Sequence, residues 1–218
     1  VLVVGYVSCM KILSVVPLGI PEVKVVRFAR FPDERGYFCE TFQPADLGQH
    51  PELSRAAKQP ILQCNEAFSR RGTLRGLHVQ WSPNMGKWVR PLFGHLVDFA
   101  LDLRLASPTF GRIVGYDMPA RPDADFAEWI FVPPGFAHGT LLPQDSVIEY
   151  FCTASWNKDA EAGISPLSPD LDWSLCDAIP RTWYEEAIRA KPLLSPKDRS
   201  APSLTEWKRD PRSSLVTG

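Results

Sequence analysis

The segment Arg70-Arg71-Gly72-Thr73-Leu74-Arg75-Gly76-Leu77-His78-Val79-Gln80 sets a guanidinium and an imidazole three residues apart, just after a glycine turn. It reads as a turn running into a strand. Side chains on a strand alternate faces, so 74, 76, 78 and 80 share one face and 75, 77 and 79 the other. His78 then takes an inward position where an ordinary strand places Val or Ile. A cation beside an imidazole suits an anionic substrate and a base that acts on it. If Arg75 and His78 meet one substrate, the strand must bend or bulge at Gly76, or the anion must be reached around the strand edge.

A second signal is Val132-Pro133-Pro134-Gly135-Phe136-Ala137-His138. Pro-x-Gly-x-x-His makes a tight turn and then aims a histidine along a strand. It resembles the second motif of the cupin superfamily, and His78 lies about where the first motif belongs. Metal-binding cupins usually carry His-x-His and a following Glu there, whereas this chain has His78-Val79-Gln80. The only histidines are His50, His78, His95 and His138. No metal and no other cofactor is expected; two barrel histidines without a ligand set favour metal-free acid–base work.

A strand-rich scaffold must hold these residues. The 218-residue length allows one or two domains, 44% hydrophobic content allows a core, and 21 prolines with 14 glycines suit turn-rich β structure. Strands are expected at 23–28, 37–42, 61–68, 74–80, 87–93, 95–103, 111–118, 127–132, 137–142 and 146–153. The stretch 97–103 alternates like a half-buried strand. Short helices are expected at 52–58 and at 182–190, the latter with Thr182 as N-cap. The expected fold is all-β, a cupin-type double-stranded β-helix (jelly-roll barrel) with short C-terminal helices, over a single domain at 10–204. Residues 1–9 read as an N-terminal extension and 205–218 as a loose polar tail.

The net charge of −1 gives no global field for nucleic acid or an anionic membrane, so neither is an expected partner. No apolar run reaches about 18 residues, the length a spanning helix needs. Cys9, Cys39, Cys64, Cys152 and Cys176 are odd in number and form no CxxC; free thiols in a reducing, cytoplasmic compartment are expected, without zinc.

Several further blocks occur in order: Asp33-Glu34-Arg35-Gly36-Tyr37-Phe38, Gln63-Cys64-Asn65, Gly86-Lys87, Asp102-Leu103-Arg104, Ser107 to Gly111, Asp170-Leu171-Asp172-Trp173, and Leu194-Ser195-Pro196-Lys197-Asp198. Together with the two histidine segments and Tyr150, the chain resembles the dTDP-4-dehydrorhamnose 3,5-epimerase family. The resemblance implies a cofactor-free isomerase acting on a nucleotide-linked 4-keto-6-deoxy sugar, and a homodimer. It makes His78 the general base, Asp198 its paired carboxylate and Tyr150 the proton donor. It puts Lys87 near the keto oxygen, His138 against the substrate, Arg35 and Arg75 at the diphosphate, and Glu40, Gln63, Asn65, Glu161 and Lys197 at other substrate-binding positions.

Taken alone, Tyr150, Asp198, Lys87 and Arg35 read as an ordinary aromatic and ordinary surface charges, so these roles rest on the resemblance. A second tyrosine common in the family is replaced by Trp156, and 177–193 reads as an insertion. Three alternatives stand beside the double epimerase: a mono-epimerase on a related nucleotide 4-keto sugar, a metal-dependent cupin oxygenase using His78 and His138, and a non-catalytic sugar-nucleotide-binding cupin.

Overall fold

A computed structural model of the chain describes residues 10–218; the proposed extension at 1–9 lies outside them. The strands in chain order are β1 (Ile12–Pro17), β2 (Lys24–Ala29), β3 (Phe31–Asp33), β4 (Gly36–Phe38), β5 (Gln63–Ser69), β6 (Thr73–Gln80) and β7 (Lys87–Phe93). They continue with β8 (His95–Asp102), β9 (Ile113–Pro119), β10 (Phe126–Val132), β11 (Phe136–Leu142), β12 (Ser146–Cys152) and β13 (Glu161–Gly163). The helices are α1 (Pro44–Gln49), α2 (Ser54–Ala57), α3 (Ala178–Arg189), α4 (Pro196–Arg199) and α5 (Leu204–Arg209).

Two antiparallel sheets form the body. One runs β1-β2-β10-β7-β12-β5 and the other β13-β6-β11-β8-β9, while β3 and β4 make a separate hairpin. Val25, Val89, Ile130 and Ile148 from the first sheet meet Leu96, Ala100, Val114, Met118 and Phe136 from the second. This inner layer is the jelly-roll interior. Each sheet is also covered outside. Leu47 and Leu53 of the α1–α2 region pack with Trp88 and Trp129, and Trp207, Tyr184 and Ile188 cover Leu74, Val97, Phe99 and Leu101. Among the described residues, no helix is long and apolar enough to cross a membrane.

The differences from the expected elements have physical causes. The strand expected at 37–42 ends at Phe38, and Pro44 then starts α1, a helix the sequence reading lacked. The C-terminal helix begins at Ala178, with Pro180 in its first turn, where a missing N–H costs nothing. Thr182 is therefore inside the helix, and its hydroxyl donates to Ala178 O. Residues 205–218 are not a loose tail. Ser203 and Glu206 form a capping box that starts α5, and Trp207 is 0% exposed. Burial of an aromatic of this size is worth several kcal/mol, enough to hold the segment down.

Strand β8 departs in a further way. The alternation at 97–103 reads as that of a half-buried strand, with one face covered. Asp98 instead lies with Leu96 and Ala100 on the inner face and is fully buried, while Val97, Phe99 and Leu101 pack under the C-terminal elements.

Candidate active site

A cavity of about 450 Å³ opens between the sheets. His78 and Arg75 reach it from β6, His138 from β11, Lys87 from β7, Tyr150 from β12, and Gln63 and Asn65 from β5. The geometric demand at Gly76 is met by a bulge. His138 pairs with His78 and Thr140 with Arg75, so two residues of β6, Gly76 and Leu77, lie opposite one of β11, Gly139. The extra residue shifts the alternation by one, and Arg75 and His78 both line the cavity. Gly76 has φ +108°, and a Cβ there would lie 2.6 Å from His138 O, so glycine fits both the backbone and the space.

His78 Nε2–H donates to Asp198 Oδ1 at 2.6 Å. With Nε2 so engaged, the hydrogen-bond network assigns the basic lone pair to Nδ1. Asp198 is buried in the first turn of α4, and Ser195 Oγ donates to its Oδ2 at 2.8 Å. Burial pushes its carboxyl up, but hydrogen bonds from His78, Ser195 and the Gly76 N–H outweigh that, and its pKa lies below the ordinary value. The His78 imidazole is thus held by a carboxylate whose ionised form is favoured.

His138 makes a second such pair. Its Nε2 lies 2.7 Å from Asp98 Oδ2, and Asp98 Oδ1 has no partner among the described residues. Burial raises the Asp98 carboxyl pKa against the pull of His138 and Lys87. Asp98 carried no signal of its own in the sequence, because it read as the solvent side of a strand.

Lys87 is driven down from the ordinary lysine pKa by burial, although Cys152, Glu161 and Asp98 oppose the shift. It forms no salt bridge among the described residues, which leaves a cation free for charge developing on a ligand. Burial raises the Tyr150 phenol pKa, with Cys152 adding to the shift and Arg75 opposing it, so Tyr150 stays protonated through neutral pH.

At the rim, Gln63 Nε2 donates to Asn65 Oδ1 at 3.0 Å and Gln63 Oε1 accepts from the Trp156 backbone N–H at 2.9 Å. Glu161 Oε2 accepts from Lys197 Nζ at 2.7 Å and from the Trp156 indole N–H at 3.3 Å. Lys197 reaches the cavity only through Glu161. Arg35 and Glu40 are not brought there within one chain. Arg35 sits at the tip of the β3–β4 hairpin, its side chain 84% exposed and forked onto Asp33, and Glu40 follows β4 outside the cavity lining. Ile148 and Cys152 also line the cavity; both could have been found by counting in twos from Tyr150. Among the described residues, no three His, Cys, Asp or Glu side chains converge as a metal set would require.

A family model described as dTDP-4-dehydrorhamnose 3,5-epimerase matches residues 17–206. The chain belongs to that family. The dTDP-4-dehydrorhamnose 3,5-epimerase of Sinorhizobium fredii strain NGR234 is 37% identical over 192 residues, 87% of this chain and 88% of the relative. The enzyme of that name from Pseudomonas aeruginosa PAO1 is 35% identical, covering 87% of this chain and 94% of its own. Among solved structures, a dTDP-6-deoxy-D-glucose-3,5-epimerase from Legionella pneumophila, in complex with dTDP-4-keto-L-rhamnose, is 31% identical with a TM-score of 0.75, covering 93% of this chain and 96% of that one. A 3'-monoepimerase from Streptomyces bikiniensis, in complex with dTDP-quinovose, is 29% identical with a TM-score of 0.71, covering 92% and 91%. Membership of this epimerase family accounts for the cupin-type jelly roll and for the order of the sequence blocks along the chain.

Proposed function

We propose that the chain converts dTDP-4-dehydro-6-deoxy-glucose to dTDP-4-dehydro-L-rhamnose by removing and returning a proton at C3 and at C5, with His78 as base and Tyr150 as acid. The observation that carries the assignment is their placement. His78 comes from one sheet and Tyr150 from the other, and both line the same cavity. Inversion at carbon needs a base on one face of the sugar and an acid on the other, and the two walls supply them. His78 Nδ1 takes the proton next to the C4 ketone. The electron pair moves onto the C4 oxygen, where the Lys87 ammonium stabilises the enolate. Tyr150 then gives its proton from the opposite side, and solvent restores both groups. The sequence is redox-neutral and needs no further reagent.

Arg75 supplies a guanidinium for the diphosphate inside the cavity. Arg35 requires a second copy of the chain. Its hairpin also exposes Phe31, Tyr37 and Phe38, which fits an arm that packs on another subunit, and the reading is a homodimer with Arg35 and Glu40 acting in the partner's site. Cys39, Cys64, Cys152 and Cys176 are all unpaired, which supports a reducing, cytoplasmic location.

The test is incubation of the purified protein with dTDP-4-dehydro-6-deoxy-glucose in heavy water, followed by NMR. Inverted product labelled at C3 and C5 is expected. A second reading, epimerisation at one carbon, draws on Trp156, whose indole cannot replace a phenol, and on the similarity to a 3'-monoepimerase. Label and inversion confined to one carbon would decide for it, and no exchange at all would remove both.

A further inference from the structure

We infer that Ser195 is a positioning residue for the base, the third member of a Ser195–Asp198–His78 relay of hydrogen bonds. The inference rests on the reading of His78 as base. Ser195 is the N-cap of α4, and its Oγ accepts from the Asp198 backbone N–H at 3.1 Å. The same hydroxyl donates to Asp198 Oδ2 at 2.8 Å, leaving Oδ1 to take the His78 N–H at 2.6 Å. The same two-way hydroxyl occurs at Ser203, which accepts from the Glu206 N–H and donates to the Glu206 carboxylate; only at Ser195 does the capped carboxylate also hold a histidine of the cavity. At Ser195 the hydroxyl returns its proton to the side chain of the residue it caps. That closes a ring which fixes the Asp198 side-chain torsions.

The ring is anchored to the strand that carries His78. Leu193 N–H donates to Gly72 O at 2.9 Å, and Leu74 N–H donates to Leu193 O at 3.0 Å, just before β6 reaches the bulge. Asp198 and His78 lie 120 residues apart in the chain, so their alignment depends on this local stitching. Of its parts, only the Ser195 hydroxyl is a side chain that touches the carboxylate oxygen His78 does not use. It also borders the cavity, so its effect must be separated from direct substrate contact.

The separation comes from Ser195→Gly and Ser195→Thr. Glycine is well tolerated at an N-cap, so the first variant keeps α4 and removes the hydroxyl. Threonine keeps both hydrogen bonds. The readouts are steady-state kinetics with dTDP-4-dehydro-6-deoxy-glucose and the low-field proton NMR resonance of the His78 Nε2–H, identified by its loss in His78→Ala. For Ser195→Gly, kcat falls about ten-fold, the scale of one charge-assisted hydrogen bond, with KM within about two-fold and the resonance moved upfield. Ser195→Thr restores kcat and the resonance. Wild-type kcat with an unmoved resonance in Ser195→Gly overturns the inference, as does a rise in KM at unchanged kcat, which would mark a substrate contact. A folded Ser195→Thr that restores neither readout overturns it as well. If the wild-type protein does not turn over the sugar, the proposed function fails, while the resonance still tests the relay.

Discussion

Replacing Tyr150 by Phe should uncouple proton exchange from inversion. The change removes one oxygen. The ring keeps its packing beside Met85, Cys152 and Ala154, and the Tyr150 hydroxyl makes no hydrogen bond among the described residues that the change would remove. No buried partner is orphaned, so the stability change should stay under about 1 kcal/mol and Tm should hold within a few degrees. The chemical effect is larger. A positioned general acid contributes about 10²–10⁴-fold, or roughly 3–5 kcal/mol of barrier. His78 is untouched on the opposite wall, so it can still take the proton and return a deuteron to the face it came from. In heavy water, Tyr150→Phe should incorporate deuterium with retained configuration while the rate of inversion falls at least about 100-fold. One NMR time course reads both quantities. Inversion within about ten-fold of wild type would refute the assignment of Tyr150, and loss of exchange to the same degree as inversion would show that proton removal itself needs the phenol.

Other consequences can be measured directly. Mixing Arg35→Ala with His78→Ala, each inactive alone, should restore about a quarter of wild-type activity if Arg35 works in the partner's site, because half of a random dimer population carries one intact site; no recovery after subunit exchange would refute the action of Arg35 in the partner's site. Gly76→Ala forces an alanine to φ +108° with its Cβ 2.6 Å from His138 O, and should cost more than about 2 kcal/mol in urea unfolding; an unchanged midpoint would refute the need for the bulge. Stability should also fall in acid. Burial raises the Asp170 pKa, but hydrogen bonds from Ser168 and Thr205 more than offset it and hold the group at about 2, and Asp198 is likewise depressed. Their contribution is present above the unfolded value near 4 and is lost as pH drops through the folded one, so urea midpoints should decline from pH 4 to 2 and decline less in Asp170→Asn. A flat profile over that range would contradict it.

How much could be read beforehand depended on the range of the interaction. The β6 segment was legible because turn, alternation and the conflict between Arg75 and His78 all lie within eleven residues, and the bulge at Gly76 resolves that conflict. Asp198 was not legible from pattern, since nothing local ties it to a histidine 120 positions away, and only the family resemblance linked them. The C-terminal segment was misread although Ser203-x-x-Glu206 is a local helix start, because polar composition hid a single large anchor, Trp207. Arg35 and Glu40 carried no signal of their own, and neither lines the cavity of one chain.

The misreading of β8 bears most directly on mechanism. Alternation fixes the period of a strand but not which face meets the interior when both faces are covered. With the C-terminal elements over Val97, Phe99 and Leu101, the polar side of β8 turns inward, and Asp98 comes to lie under His138. The cavity therefore has two His–Asp pairs on neighbouring strands, with His138 directly opposite His78 in the ladder. They are not equivalent. Asp198 takes hydrogen bonds from His78 on one oxygen and Ser195 on the other and sits below the ordinary carboxylate pKa, whereas Asp98 has His138 on one oxygen, no partner among the described residues on the other, and a raised pKa. The number of donors separates them, since each hydrogen bond to the charged form offsets part of the cost of burial. A base that must take a proton from carbon needs a partner that remains an anion throughout, and only Asp198 has that support. We expect His138, whose carboxylate partner has fewer hydrogen bonds, to hold the sugar rather than to deprotonate it, and loss of Asp98 should raise KM more than it lowers kcat.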